Sequence, residues 1–157
     1  MKLWRIAAET RAYPATDMSG GGAAQKPGRW NGDQEPIIYS SQSISLAVLE
    51  TAAHIEDAGL PLNRYLIEFN VPDHIWASRE VAHPKKLPLT WAAIPAGRAS
   101  VKFGSDWLSS LRSTILVVPS VIVPEESVVL INPRHGDAPK IKAKSVRLFE
   151  YNRLFRL

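Results

Sequence analysis

Residues 27–55 read PGRWNGDQEPIIYSSQSISLAVLETAAHI, and the stretch divides into a loop, a short strand and a helix. Pro27, Gly28, Gly32 and Asp33 are turn formers and mark the loop. Residues 36–40, PIIYS, are β-branched and aromatic between turn residues, the signature of a strand. Ser40, Ser41 or Ser43 can cap the helix that follows, and Gly59 and Pro61 stop it. Ile44, Ala47, Val48, Ala52 and Ile55 form one stripe, widened by Leu46, Leu49 and Ala53, so the helix is expected to be buried on most sides. Three polar groups stand against this pattern: Arg29 in the loop, Tyr39 at the strand's end and Glu50 within the helix. The expectation is that they converge on one pocket that takes a nucleotide. His54 lies one turn beyond Glu50, on the same side of the helix.

The rest of the chain supplies a sheet. Residues 3–7 read as a first strand, and 11–28, with three consecutive glycines at 20–22, as a flexible loop or a lid. In residues 65–71, Tyr65, Ile67, Phe69 and Val71 alternate with polar neighbours, which predicts a half-buried strand. A short helical piece is expected near 89–94 and a helix over 106–113, with Ser105 as its cap. Residues 114–118, TILVV, are continuously apolar, the pattern of a strand covered on both faces. Strands are also expected at 128–132, 141–146 and 148–151. About seven strands and two or three helices, without regular β-α alternation, predict an α+β fold with a mostly antiparallel or split sheet and helices at its side.

Composition removes several function classes. The 157 residues suit one domain with a single core. No apolar run approaches the ~18 residues that span a bilayer, and charges interrupt the first residues, so a cytoplasmic location is expected. With no cysteine there is no disulfide, thiolate metal site or cysteine nucleophile, and the four histidines lack metal-ligand spacing. The net charge of +4 is scattered, apart from Lys140, Lys142, Lys144 and Arg147 near the end. Their spacing is that of a solvated strand face, with an RNA-binding surface as the alternative.

Each candidate has a functional and a structural reading. A carboxylate inside an apolar helix needs a partner, so Glu50 either meets a ligand or is half of an ion pair with Arg29, Arg5 or another base. Arg29 can clamp a phosphate through two N–H groups, or lie at the surface. Tyr39 can stack on a flat ring or simply fill the sheet. Ser120, in VVPSVIVP, faces a pocket or makes a turn. It lacks the GxSxG elbow of a serine hydrolase. Asn132 and His135, in INPRH, bind a ligand or cap a turn.

Taken in order, WRI, GRWN, IIYS, LAVLE, GSDWL, LVVPSVIVPEE and LINPRH resemble the RES-domain toxins of bacterial toxin–antitoxin modules, from Leu3 to about Leu154. The chain departs from the family pattern at Arg134 and at Asn152–Arg153. The resemblance implies a single RES-type domain over 1–157, with an ADP-ribosyltransferase-like fold. It matches the family's arginine, glutamate and serine to Arg29, Glu50 and Ser120, and its site tyrosine to Tyr39. It implies NAD as substrate, cleaved at the nicotinamide–ribose bond by hydrolysis or phosphorolysis, with no metal. ADP-ribosyl transfer to a nucleotide-synthesis enzyme is the alternative outcome. The implied partner is an Xre-like antitoxin with a helix-turn-helix part, through which DNA is met only indirectly. In this reading Arg29, Tyr39 and Glu50 are catalytic, and Arg29, Tyr39, Ser120 and Asn132 bind the dinucleotide.

Overall fold

A computed structural model describes residues 1–56 and 58–156. In chain order the elements are β1 (Lys2–Ala8), α1 (Gly21–Gln25), β2 (Ile38–Ser41), α2 (Ile44–Ala52), β3 (Arg64–Asn70), α3 (Asp73–Ala77), β4 (Glu80–Val81), α4 (Arg98–Ser110), β5 (Ile115–Pro119), β6 (Ser127–Ile131) and β7 (Lys142–Phe149). Short 3-10 turns follow β4, β6 and β7. The strands form one sheet in the order β4-β5-β6-β2-β1-β3-β7. Among the described residues, β4 and β5 are the one parallel pair.

The expected α+β class and mostly antiparallel split sheet are what the chain adopts. The split falls between β2 and β1, whose register is a single pair, Trp4 with Ser41. On one side β1, β3 and β7 pair along their lengths, and on the other β2, β6 and β5 do. One sheet face carries a continuous core through Leu3, Ile67, Phe69, Ile38, Val129 and Ile115. The opposite face carries two separate clusters. Trp30, Ile37, Trp107, Leu116 and Leu130 pack over β2, β5 and β6, and Ile6, Val48, Leu66 and Tyr151 pack over β1 and β3. α2 crosses to β1 directly after β2, so it lies along this seam.

Several local expectations are corrected. The glycine tract is not an irregular loop. It forms α1, docked through Gln34 N–H to Ala24 O at 2.9 Å. Gly20 enters it at φ 71°, where a side chain would lie 2.6 Å from Ile37 N. α2 ends at Ala52, well before Gly59, and buries only Leu46, Ala47 and Val48. Leu49 is 46% exposed, so the helix is covered on one face rather than most sides.

Residues 89–94 make two successive turns instead of a helix, with Trp91 N–H on Pro88 O and Ala93 N–H on Thr90 O, each 3.0 Å. The helix expected over 106–113 is α4, which starts at Arg98 behind a Gly97 cap and stops at Leu111 in the left-handed region. The two strands expected at the end are one, β7. Val146 is the extra residue of a bulge between the Leu66 and Ile67 partners, which breaks the alternation that sequence reading follows. β7 is also the sheet's outer edge. Lys142 and Lys144 stand on it, Lys144 near Glu68 at 3.9 Å, and charge of this kind discourages strand pairing with another chain.

Candidate active site

The loop before β2 is built around Asn31, which is 0% exposed. Its Oδ1 accepts from Gly28 N–H at 2.8 Å and from the Tyr39 hydroxyl at 2.7 Å. Its Nδ2 donates to the carbonyls of Ala23, Gly32 and Glu35 at 2.9, 3.3 and 3.0 Å. One amide side chain thereby satisfies groups that a tight loop would otherwise leave unpaired. The Trp30 N–H donates to the Tyr39 oxygen at 3.0 Å, so the loop wraps around the phenol. Gly28 is required here, since a side chain would sit 2.7 Å from that oxygen. Trp30 itself is buried, stacked on Trp91 at 6.2 Å and edge-on to Phe103 at 6.0 Å.

With Asn31 and Trp30 pointing inward, Arg29 is left half-buried at the rim. Its Nη1 donates to Trp91 O at 2.8 Å and Ala93 O at 2.7 Å. Burial lowers its pKa from the ordinary arginine value, and Glu50 and Tyr39 act against that, which places the guanidinium within electrostatic reach of both. Burial pushes the Tyr39 phenol well above its ordinary value of 10.0, partly offset by the Trp30 N–H and Arg29. Its hydroxyl is spent on the loop, and its half-buried ring packs against the cluster over β2, β5 and β6. The raised value has a consequence for stability. The neutral phenol is favoured by folding, so this contribution is whole below about pH 10 and is lost as pH rises above it. Tyr39→Phe is expected to flatten the alkaline fall of stability in denaturant titrations run between pH 9 and 11. An unchanged slope would show that the phenol does not titrate with unfolding.

Glu50 is placed by α2. Ser43 caps that helix, accepting Leu46 N–H at 3.1 Å, and Leu46 and Ala47 anchor the face one turn before the carboxylate. The expected ion pair with Arg29 or Arg5 is not formed: none of the described ion pairs includes Glu50, Arg29 or Arg5. The partner is Ser120, whose hydroxyl donates to Glu50 Oε1 at 2.6 Å. Ser120 is buried in the turn after β5, where its Oγ accepts the N–H groups of Ile122 and Val123, both at 3.1 Å. These two amides orient the hydroxyl so that its proton points at the carboxylate. Glu50 Oε2 has no protein partner among the described residues. Arg29, Tyr39, Glu50 and Ser120 thus gather at the seam.

Asn132 does not join them. It sits beside Thr114 at the opposite end of the β5–β6 pair from Ser120, roughly 20 Å away at ~3.3 Å per residue. It is 0% exposed, its Nδ2 on Leu108 O at 2.9 Å and its Oδ1 on Arg134 N–H at 3.1 Å. The reading of Asn132 as a dinucleotide contact is therefore replaced by its alternative, a turn cap. His135 caps the same turn: its Nδ1 accepts Asp137 N–H at 3.1 Å and meets the Thr114 hydroxyl at 2.8 Å. His54 is exposed beyond the end of α2.

Two open concavities lie elsewhere. One of about 600 Å³ runs along Glu9, Arg11 and Tyr65, and one of about 200 Å³ lies between β4 and the end of β5. Neither includes the four gathered residues, whose chemistry marks the seam more clearly than its shape does. Sequence reading missed Asn31, Trp30 and Trp91. The first carries a usable signal, a short amide between turn glycines. Among the described residues no acidic or histidine cluster could hold a metal, and no helix is long and apolar enough to cross a membrane.

The RES domain family matches residues 2–153. A Prs ADP-ribosylating toxin of Sphingobium sp. (strain YBL2) is 54% identical over 150 residues, covering 96% of this chain and 93% of its own. A Toxin Res of Yersinia enterocolitica is 37% identical over 135 residues, covering 86% of each chain. Among solved structures, a chain of the M. tuberculosis MbcT–MbcA toxin–antitoxin complex shares the fold, with a TM-score of 0.62 and 15% identity over 92% of this chain and 83% of that one.

Proposed function

The chain belongs to the RES domain family, and from that premise we propose that it is a bacterial toxin that consumes NAD by cleaving the nicotinamide–ribose bond. The observation that carries this reading is the Ser120–Glu50 hydrogen bond at 2.6 Å, which leaves one carboxylate oxygen free on a group within electrostatic reach of Arg29. Nicotinamide leaves as a neutral molecule from a cationic ring, so the reaction needs no strong general acid. It leaves positive charge on the ribose, an oxocarbenium-like state. A fixed carboxylate stabilises that charge in the transition state more than in the bound substrate.

The roles follow from which atoms are free. Glu50 Oε2 takes the ribose hydroxyls and faces the developing cation. Arg29 offers Nε and Nη2 to a phosphate. Tyr39 offers its ring face to the nicotinamide. Ser120 positions Glu50 and does not contact the ligand, because its proton and its acceptor capacity are already used. Asn132 has no part. Attack by water on the ribose carbon completes the step: NAD and water give ADP-ribose, nicotinamide and one proton.

A second reading keeps this first half and changes the acceptor. The 54% identical relative is named for ADP-ribosylating Prs, which favours a protein nucleophile in place of water. Purified chain incubated with adenylate-labelled NAD separates the two. Free nicotinamide with free ADP-ribose supports hydrolysis, whereas a single labelled band in a cell extract supports transfer. Absence of nicotinamide release under both conditions would end both. We also take the partner to be an Xre-like antitoxin, so expression alone should arrest growth and co-expression should restore it.

Ser120→Ala tests the positioning role. A hydrogen bond to a charged group is worth about 1.5–3 kcal/mol, so kcat should fall roughly 10- to 100-fold with KM for NAD little changed. Loss confined to KM would mean that the hydroxyl touches substrate instead.

A further inference from the structure

The stretch LPLTWAAIPAG, residues 87–97, has no charged side chain, yet it holds the arginine of the seam. Leu87 is buried in the core cluster over β5 and β6, and Trp91 packs against the same cluster. Between them the chain turns twice, at Pro88–Trp91 and at Thr90–Ala93. Outside these anchors the stretch is open, with Leu89 and Ile94 102% and 83% exposed. The two carbonyls that the turns present, on Trp91 and Ala93, both receive Arg29 Nη1.

Two physical consequences follow. Nη1 is fully used, so the edge that Arg29 can offer is the one formed by Nε and Nη2. That edge has two parallel N–H groups and matches two oxygens of a phosphate or carboxylate. The clamp is also neutral. A carboxylate partner would cancel the guanidinium's charge, whereas two carbonyls fix the group and leave the charge available to an anion. A loose arginine loses rotamer freedom on binding, and this one has lost it beforehand.

The link between clamp and loop is the Trp30–Trp91 stack, with ring centroids 6.2 Å apart and planes 21° from parallel. Trp30 neighbours Arg29 in the chain, and Trp91 supplies one of the two carbonyls. The stack therefore ties the arginine's backbone and its acceptors into one rigid unit. We propose that segment 87–97 is a positioning device for the site, in which Trp91, through its stack on Trp30, fixes Arg29 as a preorganised fork for the pyrophosphate of the dinucleotide. This rests on the reading of Arg29 as the phosphate-binding residue.

The experiment pairs a ligand-free readout with binding. In ¹⁵N-labelled protein the Arg29 Nη1 protons, identified by their loss in Arg29→Lys, should give resolved signals because two carbonyls hinder rotation. Trp91→Ala should abolish them. In the same variant KM for NAD and the Kd of ADP-ribose should each rise at least ~10-fold, with kcat and the Kd of nicotinamide within about twofold, as expected for lost preorganisation at the phosphate alone. Trp91→Phe, which keeps a flat ring, should restore most of the affinity, and Trp91→Leu serves if the alanine variant unfolds. Resolved Nη1 signals in Trp91→Ala, or equal loss of affinity for ADP-ribose and nicotinamide, would overturn the proposal. If the wild type neither cleaves NAD nor binds ADP-ribose, the functional reading has failed, and the guanidinium spectrum still decides whether the clamp exists.

Discussion

Glu50→Gln is expected to lower nicotinamide release from NAD by at least ~100-fold while leaving the protein folded. The substitution is nearly isosteric, and the side-chain oxygen that faces Ser120 can still accept its hydroxyl proton, so the Ser120–residue 50 contact survives. What is removed is the charge on the free oxygen. That charge matters most when the nicotinamide has begun to leave, because only then does the ribose carry its full complement of positive charge. The loss should therefore appear in kcat and in kcat/KM together, with KM for NAD close to that of the wild type. It should also exceed the loss from Ser120→Ala, which disorders the carboxylate without removing it. A folded Glu50→Gln protein with wild-type turnover would remove the carboxylate from the chemistry and leave the seam as a binding surface. A reversed order, with Ser120→Ala the more damaging, would point to the hydroxyl as the group that meets the substrate.

The parts of the fold legible in the sequence are those fixed by local pattern. The five residues Ile115–Pro119 are all buried, and an unbroken apolar run encodes that directly. The alternation from Tyr65 to Val71 encodes β3 in the same way, with Ile67 and Phe69 in one core cluster and Leu66 in another. What failed were features decided by tertiary contacts. β4 is two residues long and exists because Ala82 N–H and its neighbours reach β5. The first half of α4 hides behind Gly104, a poor helix former retained for packing. Val146 breaks the alternation of β7 because a bulge absorbs it. The site divides along the same line. Glu50 is legible as an acid in an apolar helix, and Arg29 as a cation among glycines. Asn132 is an equally polar group at a strand end, but only the pairing of β5 with β6 shows that it lies at the wrong end of the hairpin from Ser120. Tyr39 is legible as an aromatic. That its hydroxyl is sealed by Asn31 and Trp30, eight and nine residues earlier, depends on how the loop closes.

Gly104→Ala should be the most destabilising of the glycine-to-alanine changes in the chain, and it should disable the site as well. By helix propensity alone the change is favourable by about 1 kcal/mol, since glycine in a helix interior is costly. The packing reverses the sign. An added Cβ at residue 104 would fall inside the Trp30 carbonyl, and neither partner can rotate away, because both belong to backbone. Either α4 or the Arg29 loop must shift, and overpacking of this kind costs about 3 kcal/mol. For a chain of this size that corresponds to a fall in Tm of roughly 6–12 °C. Gly22→Ala is the matched control. Gly22 lies in α1 with nothing within 4 Å of an added Cβ, so the propensity gain stands unopposed and Tm should stay level or rise. The two variants add the same atom to a helical glycine and should move Tm in opposite directions. Equal shifts would show that the contact between α4 and the Trp30 backbone is not tight. The activity of Gly104→Ala at a temperature where it remains folded carries the second half of the argument. Trp30 is the residue after Arg29 and the base of its carbonyl clamp, so a displaced Trp30 carbonyl should raise KM for NAD, linking helix packing to phosphate binding through one peptide unit.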